Sequence, residues 1–279
     1  MMFKPKELLF GTAGIPHSCE GTTLDGIKAV KKLGLDAMEL EFVRNINISK
    51  EMAPEVKDVA EKNNIVLTCH GQYFVNLNSL EDAKIQASVK RILDATQRAH
   101  DAGVWSICYH LAYYMGQDKS QVHDKVVVQT KAIRKILNDN GLKIWLRPET
   151  TGKETQWGNL LETLQLSQEV EGVLPCVDFS HLHARSVGKW NTYDEFKEQL
   201  TLIEQYVGRE GLDNMHIHLA GIAYGPKGEK NHLKLEESDM NYKDLCRVWK
   251  EFNIKGVVVC ESPNIEMDAL LLQKTYKTI

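Results

Sequence analysis

Short apolar runs alternate with longer amphipathic stretches along almost the whole chain. The runs are of strand length, and helical spacing of apolar residues follows them in stretches such as IKAVKKLG and KIQASVKRILDATQRAHDAG. Eight runs predict β-strands, at residues 8–14, 36–43, 65–71, 104–111, 143–149, 173–179, 215–221 and 255–261. The pattern therefore predicts repeated βα units.

Local signals at the ends of the helical stretches support this division. Four glycines stand where a helix would end just before a strand, at Gly34, Gly103, Gly141 and Gly172. Three capping-box spacings mark helix starts, in Thr22 with Asp25, Ser79 with Asp82 and Thr192 with Glu195.

Eight such units without a linker or low-complexity break predict a (β/α)8 TIM barrel, formed as one domain over residues 1–279. The alternative is an open doubly wound sheet. That fold usually carries a glycine-rich phosphate loop after the first strand, but GTAGIP contains neither GxGxxG nor GxxxxGK. We therefore favour the barrel.

Composition narrows the class of protein. Hydrophobic residues make up 43% of the chain and charged residues 26%, which are ordinary globular values. The net charge of −4 argues against a surface that coats nucleic acid generally, although bound metals would add positive charge locally. The six cysteines show no CxxC spacing, so we expect free structural thiols. Without a signal peptide or an apolar run long enough to span a membrane, we expect a cytoplasmic protein.

The ends of the predicted strands carry most of the histidines. In a TIM barrel, the carboxyl ends of the strands form the active site. Eight of the ten histidines fall at or after strand ends, whereas His100 and His123 lie on predicted helices. Carboxylates accompany them at Glu149, Asp178 and Glu261. Imidazoles together with carboxylates suit zinc, or manganese and iron, so we predict a metal site at this end of the barrel.

Strand alternation indicates which side chains face the same way. His216 and His218 are two residues apart, so both point to one side of their strand. Glu261 shares a side with Val257 and Val259, whereas Cys260 points away.

With these residues in place, the sequence resembles the endonuclease IV family of apurinic/apyrimidinic endonucleases, within the xylose isomerase-like barrels. HGQYFVNL at 70–77 is similar to that family's HAPYLINL, and VDFSH at 177–181 is similar to IDTCH. PETTG, MHIH and CESP, at 148–152, 215–218 and 260–263, are similar to ENTAG, MHLN and LETP. His110 stands at the family's histidine of the fourth strand, and the resemblance covers nearly the whole chain in order.

The resemblance implies a centre of two or three zinc ions, with manganese as an alternative, in which Glu149 and Glu261 have catalytic roles. One ion would be held by His70, His110 and Glu149, and a second by Glu149, Asp178, His216 and Glu261. A third would use His181 and His232. His183 has no clear counterpart in the family.

Two departures from the family pattern bear on this expectation. The family has DRH where this chain has KNH, so Lys230 replaces an aspartate, and we predict that Glu229 supplies the missing carboxylate. Glu39 and Glu41, at the end of the second strand, place more negative charge there than a DNA-binding surface would suggest.

The resemblance implies hydrolysis of the phosphodiester 5′ to an abasic site in duplex DNA, with the baseless nucleotide flipped out of the helix. Tyr73 is a candidate to fill the gap in the duplex, and Arg44 is a candidate phosphate contact. We expect a monomer that does not bind membranes. Two alternatives remain open: a metal-dependent sugar isomerase or epimerase of the same barrel superfamily, and a non-catalytic zinc-stabilised scaffold or DNA-binding protein.

Overall fold

The computed structural model describes residues 3–279, and a barrel of eight parallel strands forms its centre. Its strands are β1 (Leu8–Ala13), β2 (Ala37–Glu41), β3 (Val66–His70), β4 (Ser106–Tyr109), β6 (Trp145–Pro148), β8 (Cys176–Asp178), β9 (Met215–Leu219) and β12 (Gly256–Cys260). They pair in the order β6-β4-β3-β2-β1-β12-β9-β8, and bridges from Leu146 to Val173 and from Glu149 to Cys176 join the last strand to the first. The sheet closes, so the TIM barrel is confirmed and the open doubly wound sheet is excluded.

Helices follow the barrel strands and cover the outside of the barrel. They are α1 (Thr23–Leu33), α2 (Ala53–Asn63), α3 (Asp82–Asp101), α4 (Lys119–Asp139), α5 (Leu160–Glu169), α6 (Phe179–Arg185), α7 (Tyr193–Leu212), α8 (Tyr242–Glu251) and α9 (Glu266–Thr278), with a 3-10 turn at Leu235–Glu237. None of the helices within residues 3–279 is long and apolar enough to cross a membrane.

Two short antiparallel pairs extend the loops at the carboxyl end of the barrel. Strand β5 (Ala112–Tyr113) pairs with β7 (Gln156–Trp157), and β10 (Gly221–Gly225) forms a hairpin with β11 (Gly228–Leu233). The pattern along the chain did not predict either pair. The β10–β11 hairpin matters for function because it carries Glu229 and His232.

The predicted end signals are confirmed with two exceptions, one of which is Gly172, because α5 ends at its C-cap Val170, two residues earlier. The capping boxes of α1 and α7 form as expected, with Thr22 and Thr192 as the N-cap residues. The capping box expected at Ser79 is wrong, since the N-cap of α3 is Glu81, whose backbone N–H donates to Ser79 Oγ at 3.2 Å. The four glycines before strands all have positive φ, between 72° and 78°, a conformation in which glycine avoids the strain of a side chain.

Strand alternation gives the barrel a layered interior. A separate small apolar cluster comprises Leu9, Ala13, Ala37, Val66, Trp105, Trp145, Val257 and Val259. Cys69 and Cys260 belong instead to the larger core between strands and helices, and for Cys260 strand alternation predicted this. All six cysteines are free thiols, in agreement with their expected structural role. Most of the ionisable side chains of the barrel interior lie toward the carboxyl ends of the strands, at His70, Glu149, Asp178, His218 and Glu261.

Candidate metal centre

The carboxyl ends of six barrel strands bring imidazoles and carboxylates together, as the sequence predicted. His70 and Asp178 are the last residues of β3 and β8, and His218 lies in β9. His110, Glu149 and Glu261 directly follow β4, β6 and β12. His181 and His183 lie in the short helix α6 rather than in a loop, so the expectation that only two histidines are helical was wrong.

Glu149 lies at the centre of this cluster. His70 Nε2 and His110 Nε2 each lie 3.1 Å from Glu149 Oε2. That oxygen is buried, and it accepts no hydrogen bond from any residue in the described range 3–279. His70 Nδ1 lies 2.8 Å from the carbonyl oxygen of Gly71, which can only accept, so Nδ1 donates its proton there and Nε2 is the nitrogen that faces Glu149. Two imidazole nitrogens thus converge on one buried carboxylate oxygen, a donor set of the kind that binds divalent cations.

The other oxygen of Glu149 faces a second group of ligands. Glu149 Oε1 lies 3.3 Å from His218 Nδ1, which is 3.5 Å from Glu261 Oε1. Glu149, Asp178, His218 and Glu261 each offer one ligand atom, and these atoms lie within 4.8 Å of one another. Because the two oxygens of Glu149 serve different groups, this carboxylate can bridge two ions.

A third group lies between α6 and the β10–β11 hairpin. Ligand atoms of Asp178, His181 and His232 lie within 4.8 Å of one another. His232 Nδ1 is 3.3 Å from the carbonyl oxygen of Glu261, and its Nε2 is buried without a hydrogen-bond partner in the described part of the chain. The arrangement fits a divalent cation, since the nitrogen with the lone pair points away from its own structural hydrogen bond.

In the β10–β11 hairpin, the side chains of Glu229 and Lys230 point in different directions. Glu229 Oε2 lies 3.7 Å from His181 Nε2, and the Glu229 backbone N–H donates to the carbonyl oxygen of Gly152 at 3.0 Å. Lys230 is exposed, and its ammonium end lies near Gly225 at the turn of the hairpin. Lys230 is the extra residue of a β-bulge, since Ala223 pairs with Asn231 and Tyr224 pairs with Glu229. The Glu229 carboxylate therefore faces the third group and the Lys230 cation does not.

The structure places His216 differently from the sequence expectation. His216 was expected beside Glu149, Asp178 and Glu261, but His218 occupies that position. His216 is one layer deeper in the barrel, where its Nε2 lies 3.0 Å from Glu39 Oε2 and its Nδ1 lies 3.0 Å from Ser106 Oγ. Alternation correctly put both histidines on one side of β9. It could not tell which of the two reaches the carboxyl end of the barrel, which we call the rim.

His183 lies outside the three groups. Its Nδ1 is 2.8 Å from the carbonyl oxygen of Lys189, and its Nε2 is 3.1 Å from Asp239 Oδ1. One ring nitrogen therefore contacts the loop that follows α6, and the other contacts the segment that precedes α8. His183 thus links these two segments, which agrees with its lack of a family counterpart.

The buried charges set the protonation states of the ligands. Burial alone would raise the pKa of Glu149, but the imidazoles of His110, His218 and His70 hold it well below its ordinary value. Glu149 is therefore a carboxylate at neutral pH, as a bridging ligand must be. Burial raises the pKa of Asp178 to about 6, with His181 opposing the shift.

Aromatic side chains stand at the rim beside these ligands. Tyr73 is 53% exposed, and its ring packs edge-on against His70 with centroids 5.2 Å apart. Phe74, the next residue, is 67% exposed. Arg44 is also exposed, in the loop after β2, where its carbonyl oxygen accepts from the Gln72 side chain at 3.5 Å. The exposed aromatic pair was only half anticipated, since the sequence singled out Tyr73 alone.

Comparisons with known proteins identify a family model and several relatives that resemble this chain. A family model described as a xylose isomerase-like TIM barrel matches residues 27–276. An uncharacterized protein of Methanocaldococcus jannaschii is 41% identical over 275 residues, covering 98% of each chain. A D-tagatose 3-epimerase-like protein has a TM-score of 0.71 at 19% identity, with 96% of each chain covered. Endonuclease IV from Thermus thermophilus has a TM-score of 0.70 at 16% identity, with 98% of each chain covered.

The two solved structures share the fold with this chain but differ in chemistry from each other, so their likeness speaks to architecture alone. The family match spans most of the chain and agrees with the closed barrel and its carboxyl-end cluster. The chain belongs to the xylose isomerase-like TIM-barrel family.

Proposed function

We propose that this protein is a metal-dependent phosphodiesterase that cleaves duplex DNA on the 5′ side of an abasic site. The observation that carries this proposal is the convergence of His70 Nε2 and His110 Nε2 on one oxygen of Glu149, at 3.1 Å each. A sugar isomerase of this superfamily needs a single ion, which the group around His218 would hold. Two further imidazoles on the opposite oxygen provide for another ion.

Zinc or manganese ions in these groups would activate water and stabilise negative charge on a phosphate. The chain's own residues hold that arrangement in place. His70 is oriented by the Gly71 carbonyl, and His181 by the carbonyl oxygen of Thr150, 3.0 Å from its Nδ1. Fixed rings of this kind present their ligand atoms without a reorganisation cost. The resemblance assigns catalytic roles to Glu149 and Glu261, and the ligand atoms that both contribute to the four-ligand group support these roles.

Exposed aromatic and cationic side chains near the metal-ligand cluster support DNA as the substrate. Tyr73 and Phe74 expose aromatic surface next to the cluster, and aromatic side chains stack on nucleotide bases and fill gaps in a base stack. Arg44 provides a cation in the neighbouring loop for the phosphate backbone. Bound ions would supply the positive charge that the acidic rim itself lacks.

A sugar epimerase or isomerase is the second candidate, and one observation favours it. Burial and the nearby charge of Glu39 raise the pKa of Glu41 to about 8, so a rim carboxyl is protonated at neutral pH. A neutral carboxyl beside the four-ligand group around His218 would suit proton transfer to a sugar.

The test is incubation of the metal-loaded protein with duplex DNA that contains one abasic analogue, with and without prior chelation. We expect a nick on the 5′ side that leaves a 3′-hydroxyl, and no cleavage after chelation. A parallel assay follows interconversion of ketoses. Turnover of a ketose without any nicking would overturn the proposal in favour of the second candidate.

His70→Gln separates the two chemistries. It removes a ligand of the His70–His110–Glu149 group but leaves the four-ligand group around His218 complete. Under the nuclease proposal, we expect a loss of cleavage rate of roughly 10²-fold or more. An epimerase would keep its activity in this variant. His100→Gln, on α3, is the matched control and should leave either activity unchanged.

A further inference from the structure

A second group of metal-ligating side chains lies beneath the rim, inside the barrel. Cys108, Cys176, His216 and His218 each offer one ligand atom, and these atoms lie within 4.8 Å of one another. All four residues are fully buried. They come from β4, β8 and β9, so the group crosses the interior rather than following one pair of neighbouring strands.

The spacing in this group suits a tetrahedral ion. With zinc–sulfur bonds of about 2.3 Å and zinc–nitrogen bonds of about 2.0–2.1 Å, neighbouring ligand atoms are separated by about 3.3–3.8 Å. Cys108 Sγ lies 3.8 Å from His218 Nε2, within this range. Two cysteines and two histidines are also the ligand set that structural zinc sites use.

Buried polar atoms without hydrogen-bond partners provide an independent sign of a ligand. His216 Nε2 and both oxygens of Glu39 are buried and accept or donate no hydrogen bond within residues 3–279. Yet Glu39 Oε2 lies 3.0 Å from His216 Nε2, and Glu39 Oε1 lies 3.0 Å from His218 Nε2. Close atoms that do not bond to one another are expected where they share a cation, whereas orphaned buried polar groups are otherwise rare.

The surroundings hold the rings in this orientation. Ser106 Oγ lies 3.0 Å from His216 Nδ1, which leaves Nε2 directed at the group. Ser106 Oγ in turn accepts from Arg147 Nε at 2.9 Å. A hydrogen bond to the far nitrogen of an imidazole is the usual support of a metal-ligating histidine.

Charge balance is consistent with a divalent ion at this place. Arg147 is buried, and its remaining hydrogen bonds go to the Pro175 carbonyl oxygen and Asn214 Oδ1, both neutral. Two thiolates would neutralise a divalent ion, and Glu39 and Arg147 would neutralise each other. The whole assembly could then be buried without net charge, which the interior of a protein requires.

We propose that Cys108, Cys176, His216 and His218 form a structural site for a thiophilic divalent cation of the zinc type. The site is closed by four protein ligands and lies one layer below the rim. His218 links the two levels, because its Nε2 faces the inner group and its Nδ1 faces Glu149 and Glu261. The proposal does not depend on which substrate the rim acts upon.

Complete burial predicts how the ion is acquired. A cation cannot reach four fully buried side chains in the folded barrel without opening it, so binding accompanies folding. Chelation of the native protein should therefore strip the ions of the rim first and retain one equivalent per chain. Unfolding in the presence of the chelator should release it.

Cobalt substitution tests the ligand set directly. The protein is unfolded with a chelator and refolded with Co²⁺, and the near-ultraviolet thiolate-to-cobalt charge-transfer absorption is recorded. We expect this absorption in the unmodified protein and in Glu149→Gln, which alters only the rim. Cys246→Ser, which removes a buried thiol of α8, is the matched control and should keep it. The double variant Cys108→Ser with Cys176→Ser should lose the absorption and one equivalent of retained metal.

Three results would overturn the proposal. They are an unmodified protein without thiolate-to-cobalt absorption, an absorption that survives in the double variant, or loss of all metal in one step on native chelation. A thiol titration after unfolding adds a further check, because four titratable thiols instead of six would mean that two cysteines form a disulfide and would also count against the site. If the double variant does not fold, the spectrum and metal count of the unmodified protein decide the question.

Discussion

Gly152 leaves the space that the Glu229 side chain occupies. A Cβ atom at position 152 would lie 2.6 Å from Glu229 Cβ and 2.6 Å from Glu229 Oε2, closer than real Cβ contacts allow. The loop after β6 and the β10–β11 hairpin are thus packed so that this carboxylate points toward His181. Gly152, although distant in sequence, therefore helps to determine the geometry of the third ligand group.

Gly152→Ala should weaken metal binding without removing a ligand. The added methyl group displaces Glu229 from His181, so we expect a loss of roughly 10-fold or more in affinity for the ion at Asp178, His181 and His232. Metal titration monitored by bound stoichiometry measures this. Glu229→Gln should reproduce the loss, whereas Lys230→Gln, whose side chain points the other way, should not. Equal affinities in Gly152→Ala and the unmodified protein would show that Glu229 does not support this ion.

Glu149→Gln and Glu261→Gln test the bridging centre. Each keeps the size of the side chain but removes a negative ligand, so we expect the rate of abasic-site cleavage to fall roughly 10²-fold or more with the fold intact. Glu149→Gln should also lose more bound metal, because Glu149 lies against both His70 and His218, whereas Glu261 lies against His218. Cleavage rates are measured at saturating metal, with circular dichroism as the check of folding. Near-normal turnover in Glu261→Gln would place that carboxylate outside the reaction.

Glu41→Gln should change the pH dependence of stability in the metal-free protein. Burial and the charge of Glu39 raise the pKa of Glu41 from its ordinary value of 4.5 to about 8 in the folded state. The folded state therefore holds this proton more tightly than the unfolded chain, and stability falls as the pH rises from about 4.5 to about 8.

Glutamine has no such proton equilibrium, so Glu41→Gln should gain stability relative to the unmodified protein over that range. Because the side chain keeps some contact with solvent, we expect a relative gain of about 1 kcal/mol between pH 5 and pH 8. Urea unfolding at both pH values measures it, with the exposed Glu55→Gln as the control for loss of a carboxyl group. A gain of the same size at both pH values would contradict the assignment.

Thr192→Ala should destabilise the barrel through the start of α7. Thr192 Oγ1 accepts from the Glu195 backbone N–H at 3.4 Å, and Glu195 Oε2 accepts from the Thr192 backbone N–H at 3.0 Å. Loss of an N-cap hydroxyl costs about 1 kcal/mol. Urea unfolding checks this, and Thr201→Ala, at an exposed position inside the same helix, should cause no loss, since alanine favours the helix. Similar losses in both variants would argue against the cap.

Most of the secondary structure of this protein could be predicted from local sequence. Strand runs, glycines before strands and the boxes at Thr22 and Thr192 depend on neighbours a few residues away, so their signals survive without the tertiary structure. The clustering of imidazoles and carboxylates was also predictable, because a (β/α)8 barrel brings the carboxyl ends of its strands together wherever they fall in sequence.

The tertiary structure alone decided which side chains meet. Alternation put His216 and His218 on one side of β9, but the vertical stagger of the strands around the barrel placed His218 at the rim and His216 beside Glu39 below it. The register of the β10–β11 hairpin directed Glu229 inward and Lys230 outward, although the two are adjacent in sequence. Such relationships depend on the stagger and pairing between distant strands, and the local pattern of a single strand contains no information about them.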